Sequence, residues 1–160
     1  MKVILTGASG QLGQTLIESM PKQVQLICLS RHDLDLENHE ACRQIVHNEK
    51  PDWIINAGAY TAVDDAEKES ELAYAINEGA PDAFASALSD IGGRLLQIST
   101  DFVFSGNQGS PYKVNQLVNP LCVYGSSKAA GEQAALKYLN SYVIRTSWLY
   151  SPLRQNFCLT

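Results

Sequence analysis

No two of the four cysteines, Cys28, Cys42, Cys122 and Cys158, stand in a CxxC pair. That removes the zinc-ribbon and dithiol redox patterns. His39 precedes Cys42 by three residues, but no second ligand pair accompanies it, so no zinc centre is expected. Scattered thiols of this kind read as buried, free side chains of a reducing compartment, and a cytoplasmic protein is the expectation. Basic residues are few and nowhere gathered. Lys and Arg number 12 against 17 Asp and Glu, for a net charge of −5. A nucleic-acid footprint is therefore not expected. No apolar run approaches the ~18 residues of a membrane span. The opening "MKVILTGASG" has too short an apolar stretch for a secretion signal. There is no solenoid-type repeat and no low-complexity segment, and the acidic stretch "DDAEKESE" reads as a solvated helix start.

The remaining composition is that of an ordinary folded domain: 160 residues, 45% hydrophobic and 18% charged. Short apolar runs alternate with helical patterns. Strands are expected at 2–6, 24–30, 52–58, 94–100 and 142–148. Helices are expected at 11–20, 37–49, 66–90 with an interruption near 78–81, and 122–139, with a long loop from the fourth strand to about Leu121. Near-continuous apolar strands separated by helices predict a parallel sheet covered on both faces. The fold class is thus α/β: a Rossmann-like, doubly wound parallel sheet in three αβα layers, forming one domain over 1–160. Polar residues cluster where the strands end, at "TGASG", "SRHD", "NAGAYT" and "STD". In such sheets the carboxyl ends of the strands line the ligand crevice.

The first of these ends carries Gly7, Gly10 and Gly13, three apart, between a strand and a helix. Gly7 suits a tight turn and Gly10 a close approach of backbone to a pyrophosphate at the helix N-terminus; Gly13 allows helix and strand to pack closely. This GxxGxxG spacing resembles the short-chain dehydrogenase/reductase superfamily, whose second strand ends at the adenine ribose of a nicotinamide dinucleotide. A carboxylate there would suit NAD. This chain has Ser30 and Arg31 instead, and Arg31 can pair with a 2′-phosphate, so NADPH is expected to be accepted; a solvated loop arginine is the alternative. Asp35 can reach an adenine edge with Leu36 against the ring, or Asp35 or Asn38 simply caps the next helix.

Tyr124 and Lys128 in "YGSSK" are spaced to share one helix face. A neighbouring ammonium, helped by the cationic nicotinamide ring in the oxidised state, is expected to lower the phenol pKa and fit it for acid–base work, and the same lysine can hold a nicotinamide ribose. Thr100 ends the fourth strand, where its hydroxyl can hold a carbonyl oxygen beside Tyr124. A YxxxK pair alone is unspecific; after a glycine-rich first turn, "NAGA" and "ST", it is far more specific.

Together, "TGASGQLG", "NAGAYTAVDDAE", "STDFVFSG", "PLCVYGSSKAAGE" and "IRTSWLY" resemble the dTDP-4-dehydrorhamnose reductases, a family of extended short-chain dehydrogenases, along essentially the whole chain. The resemblance implies NADPH- or NADH-dependent reduction of the C4 keto group of dTDP-4-dehydro-6-deoxy-L-mannose. It implies a triad of Thr100, Tyr124 and Lys128. Gly10, Gln11 and Leu12 would touch the pyrophosphate, with Gly7 and Ala57 also on the cofactor. Ser30 and Arg31 would flank the adenosine ribose, Asp35 and Leu36 the adenine. Ala59, Tyr60 and Thr61 would line the nicotinamide half, and Thr100, Asp101 and Trp148 would meet the sugar. Family members also have Mg²⁺ and dimer contacts, largely in a C-terminal substrate domain that this chain is expected to lack; no Mg²⁺ ligand is identified here. Weak or absent activity of the chain alone, and self-association through uncovered surface, are the corresponding expectations. Two alternatives share the fold. One is a non-catalytic nucleotide-binding subunit, like the regulatory subunit of methionine adenosyltransferase. The other is a dehydratase or epimerase, against which Phe102 stands where a dehydratase places a second acid.

Overall fold

A computed structural model describes residues 1–153, 156, 158 and 159. Five strands, β1 (Lys2–Thr6), β2 (Gln25–Leu29), β3 (Trp53–Asn56), β4 (Arg94–Thr100) and β5 (Ser141–Thr146), form one sheet in the order β2-β1-β3-β4-β5. Every neighbouring pair is parallel. The helices are α1 (Gln11–Ser19), α2 (His39–Glu49), α3 (Ser70–Tyr74), α4 (Ala80–Ile91) and α5 (Val123–Leu136). The chain steps from β1 outward to β2, then back past β1 to β3. Right-handed crossovers in opposite directions place α1 and α2 on opposite faces, so the sheet is doubly wound and its switch point lies between β1 and β3.

On one face α4 packs between α2 and α5. Ile4, Ile54 and Leu95 of the strands meet Cys42, Val46, Phe84 and Leu88 there as the main core. Asn38 caps α2, its Oδ1 accepting from the Ala41 N–H at 3.0 Å, which settles the choice between Asp35 and Asn38. The opposite face of β3, β4 and β5 is apolar but less covered: Tyr142 and Ile144 remain 51% and 47% exposed. Trp53 stacks on Tyr142 at 5.7 Å, with Arg94 over the Trp53 ring. Among the described residues no helix is long and apolar enough to cross a membrane.

Three expectations need correction. The stretch 70–91 is not interrupted near 78–81; it stays helical and widens into a π turn at Ala75–Gly79 between α3 and α4. Pro81 cannot donate to the Asn77 carbonyl, and a wider turn accommodates that missing bond. His39 Nε2 donates to the Ala75 carbonyl at 2.7 Å and supports the turn from α2. The cysteines are free but not uniformly buried: Cys42 is buried, whereas Cys28 and Cys158 are exposed. Cys28 stands on β2, an edge strand. The acidic stretch is more than a solvated helix start. Glu67 accepts from the Val123 N–H at the start of α5, and Glu69 accepts from the Tyr60 hydroxyl at 2.7 Å.

Candidate functional site

The turn after β1 is shaped by contact as well as by conformation. Gly7 has φ +65°, and a Cβ there would lie 2.6 Å from the Gly58 nitrogen. At Gly13 a Cβ would lie 2.3 Å from the Gly7 carbonyl oxygen, so α1 begins directly against the turn. Gly10 is the N-cap of α1 and offers no side chain to cap it. The first N–H groups of α1 thus have no side-chain acceptor at the cap, a donor set that fits an anion. A row of buried side chains holds the neighbouring strand ends level. Thr6 donates to Asn56 Oδ1 at 2.5 Å, and Asn56 Nδ2 donates to Gln97 Oε1 at 2.7 Å. Thr6 Oγ1 also accepts from the Gly58 N–H, fixing the segment after β3 against the glycine turn.

Two adjoining hollows open above this row. The larger, about 660 Å³, is lined by Gly7, Gly10, Ser30, Arg31, Asp35, Leu36, Ala57, Ala59, Tyr60 and Thr61. The smaller, about 420 Å³, is lined by Gly7, Gly10, Gln11, Leu12, Ala57, Ala59, Thr61, Thr100, Asp101, Tyr124, Lys128 and Trp148. Every residue singled out from the sequence for cofactor, substrate or chemistry therefore lines one hollow or both. Tyr60 lines the larger hollow only. Its backbone is clamped by Asn77, which accepts from the Tyr60 N–H at 2.9 Å and donates to the Tyr60 carbonyl at 3.1 Å. Asn77 also donates to Ser127 Oγ of α5 at 3.0 Å, tying that loop to the helix that carries Tyr124 and Lys128.

Thr100 Oγ1 accepts from the Phe102 N–H and donates to Asp101 Oδ1 at 3.1 Å. Asp101 Oδ2 accepts from Ser147 Oγ at 2.8 Å. Tyr124 is pushed above the usual phenol range, first by burial; a hydrogen bond with Thr100 pulls the other way, and the Asp101 charge adds to the rise. In the chain by itself the phenol pKa is thus raised, where the expectation for it beside Lys128 and an oxidised nicotinamide is a lowered one. Lys128 is buried and donates its ammonium to the Ile98 carbonyl at 2.7 Å. Burial pulls its pKa down to about 8, with Glu132 opposing.

Beneath Lys128 lies a cluster that local spacing does not reveal. Arg145 of β5 donates through Nε and Nη2 to the Glu132 carboxylate at 2.8 and 2.6 Å, and Ser99 Oγ donates to Glu132 Oε1 at 2.5 Å. The Arg145 guanidinium lies over the Phe104 ring at 4.9 Å, and Phe104 stacks on Tyr112 at 4.2 Å. Arg145 also donates to the Val114 carbonyl at 3.2 Å. The loop between the 3₁₀ turn Asp101–Val103 and α5 is thus anchored by this chain itself. Among the described residues no group of three or more His, Cys, Asp or Glu is placed to hold a metal ion.

The family model described as "RmlD substrate binding domain" matches residues 1–160. The chain is 41% identical over 157 residues to a dTDP-4-dehydrorhamnose reductase of Streptomyces griseus, covering 96% of this chain and 52% of that protein. To the Escherichia coli (strain K12) protein of the same name it is 38% identical, covering 100% of this chain and 55% of the relative. The crystal structure of a dTDP-4-dehydrorhamnose reductase from Clostridium acetobutylicum superposes with a TM-score of 0.93 at 38% identity, over 98% of this chain and 56% of that one. The Bacillus anthracis enzyme of that name, in complex with NADP, also gives 0.93, at 39% identity and over the same two shares. A Thermus thermophilus UDP-glucose 4-epimerase, at 19% identity and a TM-score of 0.83 over 97% of this chain and 58% of that one, shows the fold alone. The chain spans about half the length of the curated relatives it matches. On the match along its whole length, the chain belongs to the RmlD substrate-binding-domain family.

Proposed function

We propose that this chain is the dinucleotide-binding and catalytic half of an NADPH- or NADH-dependent reductase of a dTDP-4-keto sugar, forming dTDP-L-rhamnose from dTDP-4-dehydro-6-deoxy-L-mannose. The observation that carries the reading is the meeting of Thr100, Tyr124 and Lys128 in a hollow that shares Gly7, Gly10 and Ala57 with the groove beside Ser30. The residues present fit a dinucleotide. A helix N-terminus without a side-chain cap follows a glycine turn, and a long divided groove runs along the strand ends. Gly10, Gln11 and Leu12 would hold the pyrophosphate; Ser30, Arg31, Asp35 and Leu36 would hold the adenosine; Ala57, Ala59 and Thr61 would line the path between the two halves. A dihydronicotinamide held there would supply the hydride for the sugar carbonyl carbon.

The chain's own residues handle the proton. Tyr124, held protonated by burial, donates its phenolic proton to the carbonyl oxygen as the C–H bond forms. The product alcohol leaves with that proton, and the phenolate regains one from solvent. Thr100 lies beside Tyr124 and stabilises charge developing on the same oxygen. Lys128 supplies a buried positive charge at the hollow's floor, which favours the transient phenolate. Asp101 and Trp148, which line the same hollow, would contact the sugar. Phe102, in a T-shaped pair with the Tyr124 ring at 5.6 Å between centroids, brings no acid for water elimination, which favours simple reduction. The presence of all three groups in one hollow favours an enzyme over a non-catalytic regulatory subunit. We place the protein in the cytoplasm, and propose self-association through the half-exposed face of β4 and β5. The experiment is nucleotide binding by this chain, together with NADPH oxidation by the chain extended to the length of its relatives, each with and without Tyr124→Phe.

A further inference from the structure

Ser30 ends in contact with a residue that its strand position does not suggest. It follows β2 and lines the larger hollow beside Arg31. The chain turns sharply there, with the Asp33 and Leu34 N–H groups both donating to the Ser30 carbonyl at 3.1 and 3.0 Å. That turn brings the Asp33 carboxylate back to the strand end. The Ser30 N–H donates to Asp33 Oδ2 at 2.8 Å, and the Ser30 hydroxyl donates to the same oxygen at 2.6 Å. An acid missing from the strand terminus in sequence is therefore present there in space, three residues later.

We infer that Asp33 determines the choice between a 2′-phosphorylated and a 2′-hydroxyl adenosine in this groove, and that it acts against the phosphate. The inference rests on the reading of the groove as a dinucleotide site. A phosphate using either Ser30 donor has to displace Asp33 from it and then stand near a like charge. A ribose 2′-hydroxyl carries no such charge and meets Ser30 without that repulsion. Arg31, exposed on the same wall, acts in the opposite direction as a cation for the phosphate. Two neighbouring side chains of opposite sign thus balance the preference. Because Asp33 is exposed, its effect is screened by water and salt and is modest.

The test is fluorescence titration of this chain with NADPH and with NADH at low and physiological salt, for wild type, Asp33→Ala, Asp33→Asn and Arg31→Ala. Both Asp33 variants should shift the ratio of the two dissociation constants toward NADPH by about fivefold, less at the higher salt. Asp33→Asn keeps an acceptor for the Ser30 donors and guards against a mere loss of the turn. Arg31→Ala should shift the ratio the other way. A ratio unchanged in both folded Asp33 variants overturns the inference while leaving the dinucleotide site standing. Failure of wild type to bind either nucleotide overturns the dinucleotide reading, and this inference with it.

Discussion

Lys128 donates its ammonium to the carbonyl of Ile98 across 2.7 Å, joining the middle of α5 to the last turn of pleat in β4. The bond explains how a charged side chain is kept in a buried place: one charge-assisted hydrogen bond and the nearby Glu132 offset part of its lost hydration. It also sets the level of α5 against the strand that ends in Thr100.

A pH signature follows from that burial. The folded-state pKa of Lys128 is about 8, below its usual 10.5. The unfolded chain therefore binds more protons between these values, and the charged lysine's penalty is present in full below about pH 8. Relative to Lys128→Met, wild type should gain stability as pH rises from 8 to 10.5, by at most about 3 kcal/mol. Urea unfolding of both proteins at pH 7 and pH 10 measures this. A difference between them that does not change with pH contradicts it.

Arg145 should be the anchor of the loop that follows Thr100. Replacing it with Met leaves the 5%-exposed Glu132 carboxylate without its guanidinium and removes the contacts to Phe104 and Val114. The expected cost is about 3 kcal/mol. Hydrogen exchange in residues 104–116 should accelerate more than in α1 or β1. Uniform acceleration throughout the protein would mean that Arg145 supports the fold at large.

Gly7→Ala should destabilise the chain by about 1–3 kcal/mol from backbone strain at φ +65°, before the clash with Gly58 is counted. Nucleotide affinity should fall with it. Thermal melting and titration with NADPH check both, and a fully stable variant that binds normally would contradict the close approach of the two turns.

The half-exposed sheet face should govern association. Ile144→Lys places a charge on an exposed apolar position of the edge strand β5 and should shift the protein toward monomer. Light scattering across a concentration series reads this. An unchanged mass distribution rules that face out.

The elements legible in sequence were those with a local cause. Gly7 marks a tight turn, the five apolar runs mark the strands, and the four-residue spacing of Tyr124 and Lys128 marks one helix face. What was hidden depends on residues far apart in the chain. Asn77 clamps Tyr60 and Ser127, Glu67 meets the start of α5, and Thr6, Asn56 and Gln97 form one polar row only after the strands are in register. Spacing sets Lys128 on the same helix face as Tyr124, but only the fold shows that Tyr124 is buried and that Lys128 turns to Ile98, so that in the chain itself desolvation prevails. The π turn at 75–79 is hidden in the sequence because Gly79 and Pro81 ordinarily punctuate a helix.

On the proposed function, Tyr124 delivers the proton in a reduction supported by this dinucleotide groove. Turnover of dTDP-4-dehydro-6-deoxy-L-mannose with NADPH, measured for Tyr124→Phe and wild type in the chain extended to its relatives' length, tests it most directly. kcat should fall by about 10²-fold or more in Tyr124→Phe with the NADPH dissociation constant unchanged. Tyr124→Phe turning over at the wild-type rate would contradict it.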